Sequence, residues 1–535
     1  MRTASSACPA DKMSARDMGF RRDDARLARS FRGTYGGTIF YSRMTQKNPP
    51  AVSPAIMDLL PTCNNRPLAR CSRRGLGRAW QNFTSHWGSS MFNFVKWPLA
   101  AAMIMGTLAA APSAMAIDFD HGRDGKIGHV FVIVLENEGF NKTFGPTSLA
   151  PFLSQTLPSQ GVLLSQYYGT GHVSLDNYIA MISGQSSTVQ THVDCTFYDD
   201  FMLTGITPDG QAIGTGCVYP AQFKTLADQL TAAGKTWRGY MEDMGNTPGR
   251  EQATCGQPLV TVKGVSQVAL NQLDDTQTAT PADQYAARHN PFVYFHSLID
   301  SGECARHVVN FNRLAQDLAF ESTTANFSFI TPNLCHDGHD GNGTTTKCKD
   351  GEPGGLVSAD AFLKSVVPMI LNSPAYKEDG LLIITFDEGD VSTLTSVNGS
   401  PTPNAISTQG VSCCGQQPGP NLGPLVAGGQ PLTLGFENVD PTTGARIAPN
   451  FFLTTQGFGG DRIGGVLLSN FLKPGTVSNV PFNHYSLLKT IEDIFGLDHL
   501  GYAGQPGLQG FFGCTNSDIF VGGDSDDQFG RCGRD

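Results

Sequence analysis

Residues 129–145 read HVFVIVLENEGFNKTFG, and this stretch indicates the fold of the whole chain. The run from Val130 to Leu135 is apolar and contains several β-branched residues. It is too short for a helix, so it predicts a strand that is buried on both faces of a parallel sheet. Glu136 and Asn137 follow at the C-terminal end of the strand, where open α/β sheets bind their ligands. Their oxygens suit a hard divalent cation, although a turn and helix cap after a core strand is a second interpretation.

Two further apolar strands are also followed by side chains that can bind a metal ion. Phe327–Thr331 leads into PNLCHDGHDG, and Leu381–Phe386 (LLIITF) leads into DEGD. Consecutive acids at the end of a buried strand repel each other and lose hydration unless a cation neutralises them. The sequence therefore predicts a divalent metal site at this edge of the sheet. The acidic and imidazole groups after the two strands are His336, Asp337, His339 and Asp340, and then Asp387, Glu388 and Asp390.

The segment GTGHVSLDNYIAMISG, residues 169–184, places a serine at the start of a predicted helix. Ser174 lies between His172 and Asp176, and Tyr178–Ile182 has a helical pattern. A serine at a helix N-terminus is most often a cap. The same position also presents backbone N–H groups and the helix dipole to an anion. The residues alone leave capping and catalysis both open.

The rest of the chain supports an α/β organisation. A helix followed by Gly234 and the strand Thr236–Met241 is typical of a βαβ unit. His289 precedes Asn290-Pro291 in RHNPF, and therefore lies at a turn. Residues 391–460 are rich in Gly, Pro, Ser, Thr and Asn, which predicts a long loop excursion with a hairpin. Helices are predicted over Phe140–Gln155, over Phe223–Ala233, over Ser358–Leu371 with Ser358 as N-cap, and within NHYSLLKTIEDIFG, residues 483–496, with His484 near its start.

Composition limits the classes of function. The 535 residues are 40% hydrophobic and 16% charged, so a large core is expected and wholesale disorder is not. The net charge of −10 hides an asymmetry, because residues 1–90 hold 15 basic and 5 acidic side chains. Residues 117–535 hold 21 basic and 42 acidic side chains. This acidic part should repel nucleic acid and anionic membranes.

The N-terminal region predicts export. Residues 1–90 are Arg-rich and lack Glu, which fits a disordered basic arm or, as we prefer, a translation start placed too far upstream. Residues 91–116, MFNFVKWPLAAAMIMGTLAAAPSAMA, have one Lys, an apolar core and a small-residue triplet, as secretory signals do. A membrane anchor is the alternative, because the apolar stretch approaches the length of a bilayer span. We expect cleavage after Ala116 and a mature periplasmic or secreted domain at 117–535.

The cysteines agree with export. Ten of the 13 lie after the expected cleavage site, and an even number in an exported chain suggests disulfides. No two form a CxxC pair, which argues against a zinc-cysteine site. Cys195–Cys217 and Cys335–Cys348 are plausible short-loop bridges, and Cys514 and Cys532 are expected to tie down the tail.

Taken together, these segments resemble the bacterial phosphoesterase family of secreted acid phosphatases and phospholipases C, within the alkaline-phosphatase-like superfamily. The motifs are VIVLENEGFNKTFG, GTGHVSLDNYIAMISG, TWRGYMEDM, RHNPF, ITPNLCHDGHDG, LLIITFDEGD and NHYSLLKTIEDIFG, in that order. The resemblance implies a doubly wound α/β sandwich with long loop insertions and one divalent metal ion. It implies these roles: metal ligands Glu136, Asn137, Ser174, Asp387 and Glu388; catalytic residues Ser174 and His172; substrate-binding residues His289, His339, Asp337 and His484. Histidines suit phosphoryl binding at acid pH because they become cations below about 6.5.

Two differences from the family motifs concern whether this chain resembles the acid phosphatase or the phospholipase C branch. Phospholipase C members typically read ENRSFDxYFG where this chain reads ENEGFNKTFG, which favours the phosphatase branch. Acid phosphatases commonly have HPSLPNY where this chain has HVSLDNY, and this departure leaves open how the serine loop is held.

The sequence therefore predicts an exported, metal-dependent acid phosphatase that hydrolyses small phosphate monoesters through a phosphoserine. A phospholipase C that acts on membrane lipid is the second hypothesis. A secreted protein that binds phosphate or metal without turnover is the third, and the retention of Ser174 among metal-type residues argues against it.

Overall fold

The computed structural model describes residues 127–512, apart from positions 392, 428, 441, 442 and 444. The predicted extension at 1–90, the predicted signal at 91–116 and the tail cysteines Cys514 and Cys532 lie outside these residues.

Short strands alternate with helices along most of the chain. The strands are β1 His129–Leu135, β2 Val162–Leu164, β3 Tyr167–Tyr168, β4 Met202–Ile206, β5 Ala212–Thr215, β6 Trp237–Met241, β7 Leu259–Val262, β8 Val265–Val268, β9 Val308–Asn310, β10 Phe327–Thr331, β11 Gly380–Phe386, β12 Thr393–Thr395, β13 Ala405–Thr408, β14 Leu432–Gly435, β15 Asn438–Val439, β16 Arg446–Ile447, β17 Phe452–Thr455, β18 Gly465–Ser469, β19 Thr476–Ser478 and β20 Phe482–Asn483. The helices are α1 Phe140–Phe144, α2 Leu157–Gln160, α3 Ser174–Ser183, α4 Leu226–Ala232, α5 His296–Ile299, α6 Glu303–His307, α7 Leu314–Asp317, α8 Gly355–Leu371, α9 Pro374–Asp379, α10 Gly419–Val426 and α11 His484–Phe495.

Eight strands form a central sheet in the order β19-β2-β18-β11-β1-β10-β6-β9. Neighbours are parallel, except that β18 runs antiparallel to β11 and β2. All residues of β1, β10, β11 and β18 are buried, so other parts of the chain cover both faces of the sheet. Among the covering helices, α3, α4 and α11 pack together. The α/β fold class predicted from the sequence is confirmed.

The register of this sheet brings the acidic ends of its strands together. Strand β1 lies between β10 and β11. Leu135 at the end of β1 pairs with Phe386 at the end of β11. Glu136 and Asp387 therefore leave the sheet side by side, as the apolar runs predicted.

Two predicted helices differ from those observed. The helix expected over Phe140–Gln155 is broken, because α1 ends at Phe144 and Gly145 is extended with φ −75° and ψ 170°. Pro146 follows, and a residue before proline is sterically disfavoured in helical conformation. Helix α8 begins at Gly355, so Ser358 is not its N-cap; the Ser358 hydroxyl instead accepts a hydrogen bond from the Gly354 N–H at 2.9 Å.

The excursion at residues 391–460 holds more regular structure than a hairpin. It contains a four-stranded sheet in the order β12-β13-β17-β14, the short pair β15-β16 and helix α10. Leu422, Leu432 and Leu434 of this region form a small buried cluster with Val193. The excursion is therefore packed onto the chain segment that follows α3.

Four disulfides are formed within the described residues, and they include both of the predicted short-loop bridges. They are Cys195–Cys217, Cys255–Cys304, Cys335–Cys348 and the adjacent pair Cys413–Cys414. Among the helices described, none has the length and apolar character needed to cross a bilayer.

Candidate active site

The Ser174 hydroxyl lies at the first residue of α3 and is almost fully buried. It donates a hydrogen bond to Glu136 Oε2 at 2.7 Å. Val173 is the N-cap residue and its side chain makes no capping hydrogen bond. The capping interpretation of Ser174 is therefore wrong. Backbone N–H groups and the helix dipole at this end favour a bound anion.

Glu136 is the centre of a group of buried polar side chains. Besides the Ser174 hydroxyl, its carboxylate accepts a hydrogen bond from the Tyr178 hydroxyl, and His289 Nε2 lies 3.3 Å from its Oε2. Burial raises the pKa of Glu136 well above its ordinary value, and the nearby carboxylates of Asp387 and Asp337 raise it further. Burial and mutual repulsion therefore both oppose ionisation of these carboxylates.

Asn137 and Asp387 lie beside Glu136. Asn137 has a left-handed backbone with φ 57°, a conformation in which asparagine is enriched, and its N–H donates to Asp387 Oδ1 at 3.1 Å. Asn137 Oδ1 and Asp387 Oδ2 are buried and make no hydrogen bond within the described chain. Burial raises the pKa of Asp387 to about 6. Buried oxygens without a hydrogen bond are the kind of ligand atom that a hard cation binds.

His289 lies between two carboxylates. Its Nδ1 is 3.3 Å from Asp337 Oδ2, its Nε2 faces Glu136, and its ring stacks on Tyr178 with centroids 5.3 Å apart. Burial lowers the pKa of His289 well below its ordinary value, and Arg288 and His339 lower it further. Burial and the two neighbouring side chains thus oppose protonation of His289.

His172 does not face the serine. Its Nδ1 contacts Glu388 Oε2 and its Nε2 lies 3.1 Å from Asp461 Oδ2. His172 and Glu388 are both fully buried. Burial would lower the pKa of His172, but Glu388 and Asp461 outweigh that effect and raise it to about 10. His172, which the resemblance implied to be catalytic, therefore pairs with two acids and not with Ser174.

His484 also differs from its expected place at the substrate. Its Nε2 donates to the backbone oxygen of Asp387 at 2.5 Å, and its Nδ1 lies 3.0 Å from the Tyr167 hydroxyl. Burial lowers the pKa of His484 to about 4. Since both ring nitrogens are engaged within the protein, His484 supports the backbone of Asp387 and does not present a donor to a ligand.

His339 and Asp337 follow β10 on one loop. Asp337 Oδ1 accepts the backbone N–H of His339 at 2.8 Å, and the Asp337 backbone oxygen accepts the N–H of Glu136 at 2.8 Å. The His339 side chain is 31% exposed and its Nδ1 lies 2.9 Å from Asp340 Oδ1. The loop therefore carries one buried acid into the group and one histidine to its accessible side.

Several residues of the site were not identified from the sequence. Tyr178 stands one helical turn after Ser174, and this spacing of four residues could have revealed it. Asp194 Oδ1 accepts the N–H of Leu175 at 2.9 Å, and Asp461 reaches His172 from the end of the excursion. No local pattern marks these two acids, because each acts on residues far away in sequence.

The donor set fits a divalent cation. Ligand atoms of Glu136, His289 and Asp337 lie within 4.8 Å of one another, and Asp387 and Asn137 add oxygens next to them. Carboxylate, amide and imidazole donors suit Mg²⁺, Mn²⁺ or Zn²⁺. Glu388, a predicted ligand, is turned towards His172 in this state. A second group, Cys335, Cys348 and Asp350, does not fit because its cysteines form a disulfide.

The fold and this site define an α/β protein with a buried serine in an acidic group whose ligand atoms could hold a cation. The chain belongs to the phosphoesterase family, whose model matches residues 148–498. The family resemblance inferred from the motifs is thereby confirmed.

Named relatives agree with this membership. A phosphate-repressible acid phosphatase of Penicillium chrysogenum is 28% identical over 47% of this chain and 46% of its own length. A probable acid phosphatase of Kluyveromyces lactis is 24% identical over 49% of this chain and 47% of its own. This chain thus spans about half the length of these fungal relatives. A phosphatidylinositol-3-phosphatase of Mycobacterium tuberculosis is 22% identical over 76% of this chain and 88% of its own length.

Among solved structures, a protein of the alkaline phosphatase superfamily from Vibrio parahaemolyticus aligns with a TM-score of 0.36 and 13% identity, over 70% of this chain and 67% of the other.

Proposed function

We propose that this protein is an exported, metal-dependent phosphatase that hydrolyses phosphate monoesters through a phosphoserine on Ser174. The observation that carries the proposal is the Ser174 hydroxyl, which lies at the N-terminus of α3 and donates to Glu136 within a cation-binding group. Family membership and the names of the fungal relatives support the reaction class. The departure from the phospholipase C motif supports the monoester.

The reaction follows from the position of Ser174. Its Oγ forms a bond to phosphorus while the bond from phosphorus to the ester oxygen breaks, and the leaving oxygen takes a proton from solvent. Glu136 Oε2, which accepts the Ser174 hydrogen bond, takes the serine proton. Water then attacks phosphorus, the bond from phosphorus to Ser174 breaks, inorganic phosphate leaves, and the proton held by Glu136 returns to Ser174 Oγ. The N–H groups at the start of α3 favour the negative charge in both steps.

Glu136, Asn137, Ser174, Asp387 and Glu388 would hold a divalent ion, which when bound would stabilise a deprotonated serine oxygen and withdraw charge from a phosphoryl oxygen. Such positioning and charge stabilisation account for most catalysis of phosphoryl transfer. We assign phosphoryl binding to His289 and His339, and positioning of Glu388 and Asp387 to His172 and His484 respectively.

Export is part of the proposal. Three disulfides between distant cysteines are typical of an oxidising compartment. We propose a mature periplasmic or secreted protein that begins near Ile117, which N-terminal sequencing of the exported protein tests. Residues 1–90 on that protein would exclude both the cleavage site and the upstream-start interpretation.

A substrate panel tests the activity. The exported protein is assayed with p-nitrophenyl phosphate, bis(p-nitrophenyl) phosphate, phosphatidylcholine and phosphatidylinositol 3-phosphate, with and without a chelator. The last substrate is included because of the mycobacterial relative's name. We expect monoester turnover that the chelator abolishes. Faster cleavage of phosphatidylcholine would favour a phospholipase C, and binding of phosphate without turnover of any ester would favour a binding protein.

Asp461→Asn tests the positioning of His172. The change keeps an acceptor for the Val411 N–H, now 2.6 Å from Asp461 Oδ1, but removes the charge that faces His172 Nε2. We expect metal affinity and kcat/KM to fall together by about 10-fold to 100-fold, as loss of partners of metal-ligating groups does. Asp390→Asn, at a 42% exposed side chain in the same acidic loop, is the control. If Asp461→Asn behaves like this control, Asp461 does not position His172.

A further inference from the structure

Arg288 is a buried cation beside the proposed active site. It is 4% exposed and immediately precedes His289. Its Nε lies 3.5 Å from Asp194 Oδ2, and Asp194 in turn accepts the N–H of Leu175, the residue after Ser174. On its other side, Arg288 Nη2 lies 3.4 Å from His339 Nε2. The guanidinium thus lies between the start of α3 and the accessible histidine of the β10 loop.

The hydrogen bonds of Arg288 engage only part of its N–H donors. Its Nη1 donates to the backbone oxygen and Oε1 of Gln277 at 3.2 and 3.1 Å. Its Nε faces Asp194 Oδ2 at 3.5 Å but makes no hydrogen bond within the part of the chain described. Burial would lower the pKa of Arg288, but Asp194, Glu136 and Asp337 outweigh it, so the guanidinium remains charged. A buried guanidinium presents several N–H donors in one plane, and this arrangement matches two oxygens of a phosphate group.

We propose that Arg288, together with His339, recognises the second negative charge of a phosphate monoester and thereby sets the preference for monoesters over diesters. The inference rests on the proposed function and deepens it. A monoester carries about −1.5 to −2 charges near pH 7, because its second pKa is about 6. A diester carries one charge and has an alkyl or aryl group on the oxygen that the guanidinium would contact. Arg288 therefore discriminates by both charge and shape.

A purely structural role makes a different prediction. If Arg288 only holds Asp194 against α3, its loss would misplace Ser174 for every substrate equally. The ratio of the monoester and diester kcat/KM values is therefore the informative quantity, because a structural defect does not change it.

The experiment measures this ratio for p-nitrophenyl phosphate and bis(p-nitrophenyl) phosphate at pH 7.5, where the monoester is a dianion. We compare two variants. Arg288→Lys keeps the charge but lacks the planar set of N–H donors, and His339→Ala changes a partly exposed side chain, so that the variant is expected to fold. Arg250→Lys is the matched control, since Arg250 is 8% exposed and paired with Glu251 and Asp283 at 3.1 and 2.9 Å, outside the site.

We expect Arg288→Lys to lower the monoester kcat/KM by about 10-fold to 100-fold, the range for hydrogen bonds to charged groups. The diester value should change far less, His339→Ala should shift the ratio in the same direction, and Arg250→Lys should leave it unchanged. Equal losses on both esters, or an unchanged ratio in both site variants, would overturn the inference. Failure of the wild type to cleave either ester would instead overturn the proposed function, and the specificity role with it.

Discussion

Ser174→Ala is expected to lower kcat by roughly 10⁶-fold, the loss measured when a hydrolase loses its nucleophile. The change removes the atom that forms the covalent intermediate and leaves Glu136 and the histidines in place. Binding of phosphate or vanadate should therefore largely survive, and this can be measured by titration. Acid quench of the wild-type protein during turnover, followed by peptide mapping, should place phosphate on Ser174.

The control for this variant lies at the other end of the same helix. Ser183 is equally buried, and its hydroxyl donates to the Ile179 backbone oxygen at 2.6 Å. Ser183→Ala should cost about 1 kcal/mol of stability, as loss of a local hydrogen bond does, and should retain most turnover. If Ser174→Ala retains as much activity as Ser183→Ala, the nucleophile assignment is wrong and direct attack by water becomes the better mechanism.

Asp387→Asn and Glu136→Gln are expected to reduce metal affinity by more than about 100-fold, with turnover falling in parallel. Loss of a residue that only supports a metal ligand lowers metal affinity by about 10-fold to 100-fold, and loss of the ligand itself should lower it more. The physical reason is that anionic ligands offset the dehydration of a divalent cation, whereas amides do so poorly. Metal content after dialysis and competition with a chelating dye measure the affinity.

Excess metal should partly restore Asp387→Asn, because its remaining ligands are intact, but not Glu136→Gln, because glutamine cannot take the serine proton. If Asp387→Asn lacks activity at full metal occupancy, Asp387 is not primarily a metal ligand. Glu138→Gln provides a comparison, since Glu138 is equally buried but pairs with Lys142 at 2.6 Å.

The parts of this protein that could be predicted are those encoded by continuous patterns. The strand Phe327–Thr331 coincides with its apolar run, and β1 and β11 each begin one residue before theirs. Because both faces of these strands are buried, apolar residues are required at every position, and the acids that follow stand out. The proximity of Glu136 and Asp387 followed directly from that reasoning.

The parts that could not be predicted depend on pairings between distant segments. His172 and Asp461 are 289 residues apart, and nothing near either residue indicates the contact. The orientation of the His484 ring could not be predicted from the sequence either. His484 begins an amphipathic helix as expected, but its nitrogens bond Tyr167 and the Asp387 backbone rather than a ligand. Sequence patterns give the residue types at the site, whereas tertiary packing decides which atoms they present.

The excursion at 391–460 has a consequence for anyone who wishes to shorten or recombine this chain. Its return segment threads between the serine loop and the acidic loop, where the Gly460 oxygen accepts the N–H of Gly389 at 2.8 Å and its N–H donates to Gly169. The outgoing segment is tied to the same place, because Gln416 donates to the Thr170 backbone oxygen at 2.6 Å. Loop-swap libraries and chimeras between relatives must therefore keep residues 410–416 and 459–461 as fixed anchors. The short pair β15-β16 is a further anchor, because Arg446 pairs with Asp199 and lies 3.7 Å from the centroid of the Phe197 ring.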